Sequence, residues 1–403
     1  MEGTREKLKT CAGKNARLTS DRALFYNKSG EITQRKCVIL KGVMPVRVIR
    51  CSALGLVLML CLMLSGAAGS AEGDKVEKIL KDMTLKEKIG QLFLADCPAD
   101  AAAAAKAFHP GGYVLFASSF QGETPASVKR TIEGYQKASK VPMLIAVDEE
   151  GGTVTRVSRF KAFRSAKFPS PQAVFKAGGW AGIREDAQEK AKLLKPLGVN
   201  VNLAPVADLP ASAKSFIYGR SFGTDAALTS KYVTAVVRES RKAGLGAVLK
   251  HFPGYGDNGD THTGIETDDR TLSAFENRDY LPFKAGIKAG AQAVLVSHNI
   301  VKALDAKLPA SLSPAVHRAL RGLGFDGVVM TDDLAMGAIT GAYGQAEAAV
   351  LAVEAGNDML ITGDLKTCAR AVYAAVQSGR VREARIDQSV RRILKWKQQL
   401  RLI

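Results

Sequence analysis

The stretch AVLKHFPGYGDNGDTHTGIETDDR, residues 247–270, separates the two α/β architectures open to this chain. Its first six residues, AVLKHF, read as a buried strand, and Gly254, Gly256 and Gly259 then come at the spacing GxGxxG. A dinucleotide-binding sheet needs a helix immediately after such glycines, so that the helix N-terminus faces the pyrophosphate. The next residues in this chain, DTHTGIETDDR, are polar and turn-like. The glycines therefore belong to a loop, and neither a doubly wound sheet nor a bound nucleotide is expected.

Working outward from this strand, seven more short apolar runs appear: QLFLAD (91–96), GYVLFA (112–117), MLIAVD (143–148), VNVNLAPVAD (199–208), AVLVSH (293–298), GVVMTDD (327–333) and DMLITG (358–363). Between the runs lie stretches such as ASVKRTIEGYQKAS, DAQEKAKLLKPL, SKYVTAVVRESRKAG and AVHRALRGLG, with apolar residues at helical spacing and often a closing glycine. Continuous apolar strands alternating with helices imply a parallel sheet covered on both faces. Eight such units predict a single (β/α)8 TIM-type barrel, with no second α/β sandwich domain.

The catalytic face of such a barrel lies at the carboxyl ends of its strands. Five runs stop there in ionisable or polar residues: Asp148, Asp208, Lys250 with His251, Ser297 with His298, and Asp332 with Asp333. A single Asp in that position reads equally well as a helix N-cap. Five around one rim favour catalysis. Strand alternation points one of Asp332 and Asp333 into the barrel mouth, where a carboxylate can attack an anomeric carbon. Asp260 and His262, two apart in a polar loop, form a candidate carboxylate–imidazole dyad in which the Asp orients the ring and stabilises its protonated form. Arg156 and Arg220 add forked donors suited to hydroxyl-rich ligands, although a structural ion pair is the commoner fate of an isolated Arg.

Composition narrows the class. The chain has 403 residues, 46% hydrophobic and 24% charged, which describes a globular protein. Of its net charge of +18, +8 sits in residues 1–50, and the rest is spread without basic runs or aromatic interleaving. Nucleic acid is not an expected partner. The six cysteines include no CxxC and no Cys/His cluster, so no metal site is expected, and the proposed chemistry needs no cofactor. The basic segment Met44–Arg50, the apolar run 51–64 and the small residues 65–71 form the pattern of a secretory signal. The 14-residue run is short for a span, so an uncleaved membrane anchor is the lesser reading. Residues 1–43 read as a non-native or disordered extension, 44–71 as signal peptide or anchor, and 72–403 as the catalytic domain. An exported monomer of the periplasm or cell envelope is expected. Its two remaining cysteines, Cys97 and Cys368, fall on elements that become neighbours when a barrel closes, which makes a disulfide between them a candidate in an oxidising compartment.

These blocks together resemble glycoside hydrolase family 3, in particular its NagZ-type β-N-acetylhexosaminidases. The resemblance runs from about residue 80 to 397 and rests on DEEGG with Arg156 downstream, GRSFG, KHFPGYGD followed by DTH, LPASLSP, and GFDGVVMTDDLAMGAI. It implies that Asp332 is the nucleophile, that Asp260 and His262 form the acid–base dyad, and that Asp148, Arg156, Arg220, Lys250 and His251 bind a terminal N-acetylglucosamine. It further implies retaining hydrolysis of a cell-wall or chitin-type oligosaccharide by double displacement. Tyr255 departs from the family pattern, which has a second His there. The family's β-glucosidases draw an acid catalyst from a second domain, whereas here His262 fills that need. A β-glucosidase or a phosphorylase of the same fold, and an inactive wall-binding envelope protein, are the rival readings.

Overall fold

The computed structural model describes residues 75–403 and, in addition, the two short strands Leu24–Tyr26 and Ile32–Gln34. The chain divides into two compact units, Met1–Gly66 and Ala67–Ile403. Of the first, the described part is the antiparallel pairing of those two strands, with Leu24 opposite Gln34. The expected signal segment 44–71 lies outside the described residues, as does most of the extension 1–43. Among the described residues no helix is long and apolar enough to cross a membrane.

The second unit is a closed barrel of eight parallel strands. In chain order these are β1 (Phe93–Asp96), β2 (Gly112–Val114), β3 (Leu144–Val147), β4 (Val201–Asn202), β5 (Gly246–Phe252), β6 (Ala293–Val296), β7 (Val328–Asp333) and β8 (Met359–Thr362). Each strand pairs with its neighbours in sequence, and β8 closes the ring on β1 through Leu360 opposite Phe93. Every predicted run therefore contains one barrel strand, and the fold is the expected (β/α)8 barrel.

Alternation divides each strand between two cores. Leu94, Val114, Leu144, Ala146, Val201, Val248, Leu295, Val328, Met330 and Ile361 fill the barrel interior. Residues one position along, such as Phe93, Ile145, Leu249 and Val329, pack outward against the helices. Both sets are fully or nearly fully buried, which is why the strands read as unbroken apolar runs rather than alternating ones. Local sequence sets the helix starts. Thr124 caps Pro125–Ala138 with Pro at the first turn, Ser313 caps Pro314–Gly322 in the same way, and Asp225 caps Ala226–Lys242.

The helix Glu383–Gln399 closes the amino-terminal end of the barrel, where Ile393, Trp396 and Leu400 join the interior core. At this end the buried Asp358 accepts from Arg321 (2.7 Å), Ser389 (2.9 Å), the Val329 amide (3.1 Å) and Arg392 (3.2 Å). A groove of about 730 Å³ runs past these arginines, remote from the strand ends where chemistry is expected.

The Cys97–Cys368 bridge is not formed; both are free thiols. Cys368 is buried with its sulfur 3.3 Å from the Thr362 hydroxyl and 3.5 Å from the Gln345 carbonyl. Cys97 instead lies against the Pro98 carbonyl and Tyr135. The two sulfurs are taken up by different neighbours.

Candidate active site

Continuing the inward positions of the strands by two residues leads directly to the mouth: Ala146 to Asp148, Val248 to Lys250, Met330 to Asp332. These three side chains line a cavity of about 160 Å³ together with Arg156, Arg220, His251, His262 and Asp333. Its floor is the top of the barrel core, Val114, Leu203, Leu295 and Ile361, so the cavity is closed below. Asp260, the remaining expected site residue, reaches the cavity through His262, whose Nδ1 lies 2.5 Å from its Oδ1.

Lys250 is the hub. Its Nζ lies 2.6 Å from Asp148 Oδ1 and 2.6 Å from Glu150 Oε1, and the residue is only 2% exposed. Burial would lower the Lys250 pKa, but these two carboxylates raise it above the ordinary lysine value. Glu150 also receives a two-pronged contact from Arg220, with Nη2 at 2.7 Å and Nε at 3.0 Å. Burial opposes its ionisation, yet Arg220 and Lys250 hold its carboxyl well below the usual carboxylate range. A lysine and an arginine are thus fixed in place while keeping their charge.

Adjacent residues on a strand face opposite ways, yet Lys250 and His251 both line the cavity, and the peptide between them is cis. Buried Asp208 holds His251. Its Oδ2 accepts the His251 backbone amide at 2.9 Å and lies 2.7 Å from Nδ1. With the proton on Nδ1, Nε2 is an acceptor for Arg220 Nη2 at 3.3 Å.

Arg156 comes from the loop after β3. There the buried Glu149 carboxylate accepts the amides of Arg156 (2.9 Å) and Val157 (2.8 Å) and folds DEEGGTVTR back on itself. Gly151 in that loop has φ +102°, and a Cβ would stand 2.3 Å from the Pro169 carbonyl oxygen, so no other residue fits. The Arg156 guanidinium stands over the Phe116 ring at 5.9 Å and makes a long contact to Asp148, 3.8 Å, and among the described residues its Nε has no hydrogen-bond partner. It is a donor left available at the cavity wall.

The two adjacent aspartates separate clearly. Asp333 Oδ1 accepts the Ala335 amide at 2.8 Å, so the capping role falls to it. Asp332 lines the cavity with Oδ1 accepting the Asp333 amide at 3.0 Å. Burial opposes ionisation of Asp332, but the proximity of His251, His298 and Lys250 outweighs it and holds the carboxyl below its ordinary value. Burial, with the Asp332 charge adding to it, pushes Asp333 up. Environments that drive two neighbouring carboxyls apart are how acid–base roles are divided in enzymes.

The dyad sits on the loop after β5. Asp260 Oδ1 also accepts the His262 amide at 3.0 Å, and hydrogen bonding to the ring and amide outweighs burial to lower the Asp260 pKa. With Nδ1 so occupied, the imidazole presents Nε2 outward, and its side chain is 62% exposed.

Some expectations need correcting. Ser297 and His298, counted at the rim from sequence, are fully buried beneath it. His298 bridges the Ser311 hydroxyl (2.7 Å) and the Asp333 carbonyl (2.9 Å), supporting the strand end rather than facing the cavity. Two residues escaped the sequence reading. Glu150 stands inside the quoted DEEGG, but its importance depends on partners 70 and 100 positions away. Asp96 ends its run just as the other rim residues do, and that signal was there to be read. Burial lifts its carboxyl to about 7, with the charges of Asp333 and Asp148 adding to the effect, and its Oδ1 has no hydrogen-bond partner.

Comparison with known proteins bears on the family and the fold. Residues 84–396 match the glycosyl hydrolase family 3 N terminal domain. The chain is 30% identical over 322 residues to the beta-hexosaminidase LpqI of Mycobacterium tuberculosis, which covers 76% of this chain and 81% of that protein. It is 36% identical over 257 residues to a beta-hexosaminidase of Xanthomonas campestris pv. campestris, covering 62% and 76% respectively. Among solved structures it is similar to a family 3 beta-N-acetylglucosaminidase from Paenibacillus sp. str. FPU-7, with TM-score 0.74 and 36% identity over 79% of this chain and 63% of that one. It is also similar to a family 3 glycosyl hydrolase from Mycobacterium smegmatis, with TM-score 0.72 and 32% identity over 79% and 98%. A family match spanning the whole barrel, and relatives of which most of the length is covered, place this chain in glycosyl hydrolase family 3 as a glycoside hydrolase.

Proposed function

We propose that the protein removes terminal β-linked N-acetylglucosamine from cell-wall or chitin-type oligosaccharides with retention of configuration. The observation that carries this reading is a depressed carboxylate, Asp332, in a cavity closed below, with an Asp-held imidazole at its opening. Such a cavity admits the end of a sugar chain rather than its middle. Beta-hexosaminidases among the relatives supply the sugar preference.

In the mechanism, Asp332 attacks the anomeric carbon while the glycosidic oxygen takes the proton from His262 Nε2 and leaves as an alcohol. Water then adds to the anomeric carbon, returns a proton to Nε2, and frees the Asp332 carboxylate. Asp260 keeps the ring oriented through its contact with Nδ1. Lys250, Arg156 and Arg220 donate to sugar hydroxyls, Asp148 accepts from them, and His251 adds a further polar contact.

The test is turnover of 4-nitrophenyl N-acetyl-β-glucosaminide against the matching glucoside, each with and without inorganic phosphate. Free N-acetylglucosamine is expected in both buffers. Preference for the glucoside, release of a sugar phosphate, or no turnover would overturn the reading.

His262→Ala is expected to slow cleavage of an N-acetylglucosamine disaccharide by roughly 10²- to 10⁴-fold, and that of a dinitrophenyl substrate far less, because a good leaving group needs little protonation. Equal losses on the two substrates would remove His262 as the acid.

The basic and apolar pattern of residues 44–71 supports an exported enzyme whose mature chain starts close to Glu72. Amino-terminal sequencing of protein from the cell envelope checks this, and an intact Met1 on a cytosolic protein would contradict it.

A further inference from the structure

An imidazole on an exposed loop does not hold its own position. Whatever fixes the loop after β5 therefore fixes the proton donor. Earlier in the loop Asp257 accepts from the Ser215 hydroxyl at 2.6 Å, Asn258 donates to Asp268 at 2.9 Å and the Gly259 amide donates to Glu266 at 3.2 Å; two further attachments lie at the dyad itself. The carbonyls of Thr261 and His262 accept the amides of Ala338 and Gly337, each at 3.2 Å, so the loop is docked on the segment just beyond Asp332 and Asp333. The contact is close: a Cβ on Gly337 would stand 2.7 Å from the His262 carbonyl oxygen.

The second attachment comes from below. The Tyr255 hydroxyl lies 2.5 Å from Oγ1 of Thr261, the residue between Asp260 and His262, and both Tyr255 and Thr261 are essentially inaccessible, at 2% and 0% exposure. Tyr255 is itself fixed at its other end. Its amide donates to Asp208 Oδ1 at 2.8 Å, and Asp208 Oδ2 holds His251. The Tyr255 ring stands edge-on to the His251 ring at 5.1 Å. A continuous buried path thus runs from the cavity-lining His251 and its partner Asp208 through the Tyr255 side chain to the middle residue of the dyad.

We infer that Tyr255 is a positioning residue for the acid–base step, holding the Asp260–His262 pair over the cavity through the hydroxyl of Thr261. The inference rests on His262 being the acid. Tyr255 lines the cavity, but at 2% exposure it offers substrate little surface, so its effect is inferred to pass through the loop. Removing its hydroxyl strips Thr261 Oγ1 of the partner seen in the structure, and at the dyad itself leaves the docking on Gly337 and Ala338 as the remaining attachment. Loss of one such constraint displaces the ring by a fraction of its own width, and misplacement of about 1 Å costs up to 10²-fold in rate.

The experiment compares Tyr255→Phe, Thr261→Val and Thr261→Ser with the parent protein on an N-acetylglucosamine disaccharide and on the dinitrophenyl glycoside. Melting temperature is recorded for each. Tyr255→Phe and Thr261→Val are expected to lower kcat on the disaccharide about 10- to 100-fold with KM within twofold, and to leave the dinitrophenyl substrate within about threefold. Thr261→Ser keeps the hydroxyl and is expected to stay close to the parent. In a His262→Ala background, Tyr255→Phe should add nothing further, because the group it positions is gone. Parental kcat in both Tyr255→Phe and Thr261→Val, equal losses on the two substrates, or full additivity with His262→Ala would each overturn the inference. A His262→Ala protein without leaving-group dependence would instead remove the acid assignment itself. That result differs from one in which His262 behaves as the acid and Tyr255 does not matter.

Discussion

Asp332→Ala is expected to lower kcat by roughly 10⁴-fold or more, the scale on which loss of a covalent nucleophile is felt. Its melting temperature should stay within a few degrees of the parent. Asp332 lies at the mouth, beyond the last layer of barrel core formed by Met330, and its one hydrogen-bonded backbone group belongs to its neighbour Asp333. Removing it also leaves Lys250 paired to Asp148 and Glu150, so the cationic network should survive. Asp333→Ala should retain at least about a hundred times the activity of Asp332→Ala, since the Asp333 side chain is engaged in capping the turn at Ala335, and its contacts to Asp332 and His298 are made by the backbone. Equal residual rates in two well-folded variants would show that the nucleophile has been misassigned.

The largest stability effect is expected at the opposite end of the barrel. Lys397, on the helix that closes the amino-terminal end of the barrel, has no exposed surface, and among the described residues its amine has one hydrogen-bond partner, the neutral Gln91 side chain, whose Oε1 accepts from Nζ at 2.6 Å. Burial pulls its pKa from 10.5 down to about 7. In the unfolded chain the amine keeps its proton up to about 10.5. Between roughly pH 7 and 10.5 the unfolded state therefore binds more protons than the folded one, and stability rises with pH through that window. Below it, the group works against folding by about 4 to 5 kcal/mol at most. Lys397→Met keeps the volume and removes the buried charge. Differential scanning calorimetry should show a melting temperature higher by several degrees at pH 6, with the gain shrinking towards pH 10. A variant less stable than the parent at pH 6 would mean that the Gln91 contact outweighs the buried amine.

Most of the fold could be read in the sequence for a physical reason. Each strand packs on both faces, so AVLKHF or GVVMTDD leaves an unbroken apolar signature whichever way its side chains point. The ends were less exact: VNVNLAPVAD runs ten residues, yet only Val201–Asn202 of it is regular strand. The site was partly legible. Alternation alone carries Asp148, Lys250 and Asp332 into the mouth. It could not choose between Asp332 and Asp333 as to charge, since that depends on His251, His298 and Lys250, which come from other strands. Glu150 escaped because nothing local marks a carboxylate as the partner of Arg220 and Lys250. The disulfide expectation failed for a related reason: neighbouring elements do not imply facing sulfurs, and here Cys368 turns to Thr362 and Gln345.

The docking of the His262 loop on Gly337 and Ala338 bears on when order is acquired. An acid carried on an untethered loop would have to be immobilised anew in every catalytic cycle, and the lost freedom would appear in the barrier each time. Here the loop bearing the proposed acid and the segment beyond the proposed nucleophile are bonded to one another with no sugar present. The conformational entropy of bringing them together is given up once, when the chain folds. The substrate then has to surrender only its own freedom.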